Sequence, residues 1–219
     1  CHKSDGVRSL TKQEFTEQVT RLLPTLAEFD AQGVAYQLDN TPAWCVLEAA
    51  LSELKRVAIP LPTFFTAQQV AFGLQNSGAG LFVCDRAYEG EHAKLVALVD
   101  VCKHYPLYVY QLSNTQPVPY FANTQKITFT SGSTGTPKGV CLSLESQLQV
   151  ATSLYQSIGL EKPNHLCLLP LPVLLENLAG VYAPLLAGGT VNLVPLAELG
   201  FSGAQLLEPH KLISAIERT

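Results

Sequence analysis

The sequence predicts an α/β fold in which mainly parallel strands are covered on both faces by helices. Short apolar runs such as "GVAYQL" (33–38), "RVAIPL" (56–61) and "GLFVCD" (80–85) alternate with longer stretches whose apolar residues recur at helical spacing. The runs are apolar over most of their length, which suits strands buried on both faces. Strand–helix–strand order then requires crossovers that keep neighbouring strands parallel. With 219 residues and 47% apolar side chains, the chain can bury a substantial core.

Each element has a local reason. Thr11 and Glu14 have the spacing of a capping box, with Leu10 and Phe15 placed as a hydrophobic staple. The helix they open carries Phe15, Val19, Leu22, Leu23 and Leu26 on one face, and Pro24 is expected to kink or restart it. A second helix is predicted over 42–55, headed by Trp44, whose ring is expected to pack with its N–H satisfied. Thr66 and Gln69 form a second capping box, stapled by Phe65 and Val70, for a helix ending near Ser77 and Gly78.

Residues 91–102 read as helical by period, flanked by His92 and His104, and 107–112 as extended. The polar, proline-bearing stretch 113–125 reads as a linker, dividing a first α/β subdomain (1–112) from a second (126–219). Beyond it a strand at 127–129, a helix over 144–158 stopped by Gly159 and a strand at 165–170 follow. Next come a helix over 174–186 closed by Gly188 and Gly189, a strand at 190–195, and a last helix with Pro209 at its first position.

Composition excludes several classes. Fourteen basic and 18 acidic residues give a net charge of −4, and the basic ones are spread thinly, so no nucleic-acid partner is expected. The six cysteines, at 1, 45, 84, 102, 141 and 167, include no Cys-x-x-Cys and no Cys/His pair at zinc-site spacing. They read as reduced, buried thiols of a cytoplasmic protein, and no metal site is expected among them. His165 reads as a strand-end residue. The most apolar stretch, 166–191, is interrupted by Pro170, Pro172, Glu176, Asn177 and Pro184, so it reads as core and not as a transmembrane segment. The first residues contain no apolar signal-peptide core.

One stretch serves no core. "ITFTSGSTGTPKGV" (127–140) packs glycines and hydroxyls between a strand and a predicted helix, where ligands of parallel sheets bind. Glycines let backbone N–H groups approach an anion, hydroxyls add donors, and Lys138 adds a positive charge. A helix N-terminus facing the loop is expected to contribute about half a charge more. The loop reads as a phosphate cradle. It departs from the Walker A pattern, since Pro137 precedes the lysine and Gly139 stands where a magnesium-binding hydroxyl belongs.

"TFTSGSTGTPKGV" (128–140) resembles the signature loop of the adenylate-forming, AMP-binding superfamily, which includes acyl-CoA synthetases and adenylation domains. "GVRSLTKQEF" (6–15), the stretch from Asn40 to Asp85 and "LLPLPVLLENLAGVYAPLLAGGTV" (168–191) resemble further family segments in register. The resemblance implies two stacked, mainly parallel βα-alternating sheets flanked by helices. It also implies ATP-dependent activation of a fatty or other apolar carboxylic acid to acyl-AMP, with Mg²⁺ neutralising the phosphates. Transfer to coenzyme A follows, or to an acyl carrier protein.

By the same resemblance Thr130, Ser131, Gly132, Ser133, Thr134, Gly135 and Thr136 hold phosphate, and Lys138 stabilises the leaving pyrophosphate as the catalytic residue. Val173 stands where a histidine or aromatic gate is common, and Glu176 matches an acidic position of long-chain members, which makes both substrate-side candidates. The family's adenine-binding strand, its magnesium-binding glutamate and its catalytic C-terminal domain have no counterpart before Thr219. The chain therefore reads as an N-terminal fragment, expected to be inactive alone. A non-catalytic nucleotide- or acyl-binding module is the alternative reading.

Overall fold

The computed structural model describes residues 3–4, 7–113, 118–130, 138–159, 161–203 and 205–219. In chain order the elements are β1 (Lys3–Ser4), β2 (Val7–Arg8), α1 (Lys12–Ala27), β3 (Gly33–Gln37), α2 (Pro42–Glu53), β4 (Val57–Pro60), α3 (Ala67–Asn76) and β5 (Ala79–Cys84). Then come β6 (Ala93–Val101), β7 (Tyr105–Leu112), β8 (Lys126–Thr130), β9 (Lys138–Leu142), α4 (Leu144–Ile158) and β10 (Asn164–Leu166). A π-helical stretch (Glu176–Tyr182), α5 (Ala183–Leu186), β11 (Thr190–Asn192), β12 (Phe201–Ser202), β13 (Gln205–Leu206) and α6 (Pro209–Arg218) complete the chain.

The central sheet has seven strands in the order β6-β7-β5-β3-β4-β8-β9. Its middle, β5-β3-β4-β8, is parallel, and an antiparallel strand or hairpin closes each side. The α/β class read from the sequence is therefore the class observed. β8 and β9, which follow the segment read as a linker, belong to the same sheet as β3, β4 and β5. β10 and β11 form a separate parallel pair.

Alternation along the strands divides the core between the two faces of the sheet. Val34, Tyr36, Leu81, Val83 and Val109 meet Val19, Leu22, Leu26, Trp44, Leu47 and Leu51 from α1 and α2. Ala35, Ile59, Phe82 and Tyr110 point the other way and pack with Val70 and Leu74 of α3. Both capping boxes form: the Thr11 N–H donates to Glu14 Oε2 (2.9 Å), and the Thr66 N–H donates to Gln69 Oε1 (2.9 Å). α1 runs through Pro24 as one helix. Trp44 is fully buried with its ring 4.8 Å from Tyr36 in an edge contact, yet its indole N–H has no acceptor, contrary to the sequence expectation.

Two elements correct that reading. Residues 93–101 form a strand where a helix was predicted, because β7 pairs with them from Ala93↔Leu112 to Val101↔Tyr105. The hairpin has no Asn-Gly signal. Cys102 and Lys103 instead take left-handed φ of +54° and +62°, and the Cys102 N–H donates to Gln18 Oε1 of α1 (2.9 Å). β9 is the second correction, and it changes the site described below.

Tyr120, in the segment read as a linker, is packed against the sheet. The Tyr120 hydroxyl donates to the Ser77 carbonyl (2.8 Å) and occupies the space that a Cβ on Gly33 would take. The described cysteines 45, 84, 102, 141 and 167 are free thiols. No described helix is long and apolar enough to cross a membrane.

Gly33→Ala is expected to destabilise the protein by about 1–3 kcal/mol through overpacking against Tyr120. Adding Tyr120→Phe removes the obstructing hydroxyl and should recover part of the loss in urea denaturation, a recovery that would be absent if the cost arose elsewhere.

Candidate functional site

The carboxyl ends of the parallel strands converge on one edge. Ala58 of β4 pairs with Lys126 of β8, so Thr130, four residues further on, stands at the edge where β4 ends at Pro60. There β8 turns back as β9. Thr130 faces Lys138 across the hairpin, both residues are exposed, and the Thr130 hydroxyl donates across the rim to the Lys138 carbonyl (3.4 Å). Ser131, Gly132, Ser133, Thr134, Gly135 and Thr136 lie outside the described residues, between these two rim positions.

The sequence reading had the loop feeding a helix. Instead five residues of strand follow it, and α4 opens at Leu144 with Ser143 as its N-cap. Leu142 pairs with Lys126, so the α4 N-terminus lies at the opposite edge of the sheet from the loop. A macrodipole acts only over the first turn, so α4 adds no positive potential at the rim. Among the described residues, Lys138 places a positive charge at this rim.

Beneath the rim lies a polar cluster that the motif reading missed. Lys126 and Glu48 are buried, with side chains 2% and 5% exposed, and Lys126 Nζ is 2.7 Å from Glu48 Oε1. The Lys126 ammonium also donates to Asn177 Oδ1 and lies 5.1 Å from the centre of the Tyr182 ring. Tyr36 OH donates to Glu48 Oε1 (2.7 Å), while Asn177 Nδ2 (3.1 Å) and Tyr182 OH (3.3 Å) donate to Glu48 Oε2.

The π-helical geometry makes the last two contacts possible. Residues five apart sit about 140° apart around an α-helix, whereas the wider i→i+5 turn brings them onto one face. The sequence signals for the cluster are a carboxylate inside the apolar run of α2 and Asn177, a polar interruption of the apolar stretch 166–191.

Electrostatics follow from that packing. Burial alone would raise the Glu48 carboxyl, but Lys126, Tyr36 and Asn177 outweigh it and hold the group below its ordinary value. Burial, reinforced by the Glu48 charge, pushes the Tyr36 and Tyr182 phenols up.

A narrow seam runs between β8 and the chain at 171–177, lined by Pro60, Lys126, Thr128, Leu171, Pro172 and Asn177. Asn40, just past β3, fixes its outer wall. Its Nδ2 donates to the Leu169 carbonyl (2.8 Å) and its Oδ1 accepts from the Leu171 N–H (3.0 Å). Val173 closes a turn on Pro170 and is 37% exposed. Glu176 is buried: Oε2 accepts from the Leu169 N–H (3.2 Å), and Oε1 lies 3.2 Å from His165 Nε2. Of the two substrate-side candidates, Val173 faces outward and Glu176 is engaged in holding its own segment.

A family model for the AMP-binding enzymes matches residues 2–215, and the chain belongs to that family. Among solved structures, o-succinylbenzoate CoA synthetase (MenE) from Bacillus subtilis with the acyl-adenylate OSB-AMP aligns with a TM-score of 0.72 at 23% identity, over 97% of this chain and 54% of that one. The same enzyme with ATP and magnesium aligns at 0.71 and 22% identity, over 96% and 55%. The Klebsiella oxytoca NpsA N-terminal subdomain with 3-hydroxybenzoyl-AMSN aligns at 0.69 and 19% identity, over 97% and 52%. At these identities the likeness establishes the fold, and the chain spans about half the length of each of these structures. Comparison with curated protein sequences gives no match.

Lys126→Met leaves Glu48 as an uncompensated buried charge and is expected to cost about 3–5 kcal/mol. Lys126→Met combined with Glu48→Leu should recover most of that in chemical denaturation. The folded Glu48 value lies below the unfolded one, so its contribution is complete above the unfolded value of about 4.3 and is lost as pH falls through the folded value. The wild type should therefore lose stability more steeply than the double variant below about pH 4.3, which acid titration followed by circular dichroism measures.

Proposed function

We propose that this chain is part of an ATP-dependent, acid-activating ligase. A carboxylate attacks the α-phosphorus of ATP, pyrophosphate leaves, and the acyl-adenylate formed passes its acyl group to a thiol, either that of coenzyme A or that of an acyl carrier protein. The observation that carries this reading is the position of "TSGSTGTPKG" (130–139). In a member of the AMP-binding family, it joins two strands at the carboxyl edge of a parallel sheet.

In this reading the Thr130 hydroxyl exchanges its long contact with the Lys138 carbonyl for a phosphate oxygen, and the hydroxyls of Ser131, Ser133, Thr134 and Thr136 donate to the β- and γ-phosphate oxygens as well. Gly132 and Gly135 let the backbone come close, and Lys138 stabilises pyrophosphate as charge builds on it. Hydroxyls and one ammonium suit phosphate oxygens, so magnesium would arrive with the nucleotide and neutralise its charge. With the α4 N-terminus at the opposite edge, Lys138 supplies positive charge at the rim. The apolar side chains of the 171–175 segment, with Val173 and Leu175 exposed, favour an apolar acid, while Glu176 positions that segment through Leu169. Support for the two-step chemistry comes from the solved structures of similar fold, one with ATP and magnesium and one with an acyl-adenylate.

The intact protein is expected to exchange labelled pyrophosphate into ATP only when a suitable carboxylic acid is present. A panel of aliphatic and aromatic acids identifies the substrate class, and silence across the whole panel would rule out the ligase reading. Lys138→Ala should slow exchange by about 10²–10³-fold. An unchanged rate in that variant would remove Lys138 from the pyrophosphate step.

A further inference from the structure

His165, Cys167 and Glu176 meet behind the seam. Residues two apart on an extended segment project to one side, so β10 and the residue after it present His165 and Cys167 together. The Cys167 N–H donates to the Asn192 carbonyl (3.0 Å), which continues the pairing with β11. Glu176, the first residue of the π-helical stretch, comes against them, so that an imidazole nitrogen, Sγ and a carboxylate oxygen all lie within 4.8 Å of one another.

Gly180, lacking a Cβ, lets the His165 and Glu176 side chains come close to its backbone. A Cβ there would collide with Glu176 Oε1 and come within 2.8 Å of His165 Nε2. Cys167 Sγ also lies 3.5 Å from the Gly180 carbonyl. The two carboxylate oxygens are divided in use: Oε2 is oriented by the Leu169 N–H (3.2 Å), which leaves Oε1 facing His165 (3.2 Å).

We infer that His165 Nε2, Cys167 Sγ and Glu176 Oε1 form a binding site for a thiophilic divalent cation of the zinc type, with water as the fourth ligand. One imidazole nitrogen, one sulfur and one carboxylate oxygen make a donor set suited to zinc. On binding, the Cys167 thiol gives its proton to solvent, and a thiolate plus a carboxylate balance the two positive charges. The buried site then carries no net charge, which avoids the large cost of an isolated ion in an apolar interior. Cys167 and Glu176 are buried while the His165 side chain is 35% exposed, so the cation and its water have an entrance past the imidazole.

Ligand atoms around a tetrahedral zinc lie about 3.5 Å apart, so the side chains need to close by only about an ångström. The site is independent of the reading given to the 130–139 loop. Sequence spacing did not reveal it because Glu176 follows Cys167 by nine residues and reaches it only through the fold.

The intact protein, freed of metal with a chelator, is titrated with Co²⁺ and then Zn²⁺. One equivalent of cobalt should bind with a near-ultraviolet thiolate-to-cobalt charge-transfer band, which zinc then abolishes. Cys167→Ser should lose the band, whereas Cys1→Ser, which removes a rival Cys-His pair at the start of the chain, should keep it. His165→Ala and Glu176→Gln should each weaken cobalt binding by at least about tenfold.

Circular dichroism of each metal-free variant separates loss of ligation from loss of fold. If Cys167→Ser fails to fold, the His165→Ala and Glu176→Gln titrations decide. No saturable band in the folded wild type, a band that survives Cys167→Ser, or undiminished affinity in His165→Ala and Glu176→Gln would overturn the assignment.

Discussion

An ammonium and a carboxylate taken out of water must find each other, and the contact between Lys126 and Glu48 ties together the parts of this protein that surround the carboxyl edge of its sheet. Glu48 comes from α2, Lys126 from β8, and Asn177 and Tyr182 from the π-helical stretch, with Tyr36 of β3 completing the shell. Each charge would be costly alone in an interior this dry, so the three segments are held in one relative arrangement. Thr130 stands four residues along β8 from this anchor, and the rim of the loop is placed by it.

The same cluster explains the π-helical geometry. Asn177 and Tyr182 reach the same Glu48 oxygen because the wider turn aligns residues five apart. The stretch also places Glu176 against Leu169 and His165, while Asn40 holds Leu169 and Leu171 from the other side. The apolar wall at 169–175 is thereby suspended between two buried polar clamps instead of resting on hydrophobic packing alone. Polar clamps fix orientation in a way that apolar contacts, which tolerate sliding, do not.

The hairpin at the functional edge also determines where charge is available. A phosphate loop that runs into a helix can draw on backbone N–H groups and an aligned dipole. Here the loop returns along β9 and α4 begins at the far edge of the sheet, so the α4 dipole contributes nothing at the rim, where Lys138 stands exposed.

Local chemistry was legible in the sequence wherever neighbours along the chain decide it. The capping boxes at Thr11 and Thr66, the αL stop at Gly159, the apolar strands β3, β4 and β5, and the Gly/Ser-rich loop as a family signature all depend on residues a few positions apart. Long-range partners decided the rest. Residues 93–101 became a strand because β7 lay beside them, β9 formed because it could pair with β8, and His165, Cys167 and Glu176 converged through a π turn. Periodicity records which face of an element is apolar and carries no information about which distant segment will cover it. Tertiary structure alone therefore placed Lys126 on Glu48, since a buried charge is tolerable only beside a partner that the linear spacing does not reveal.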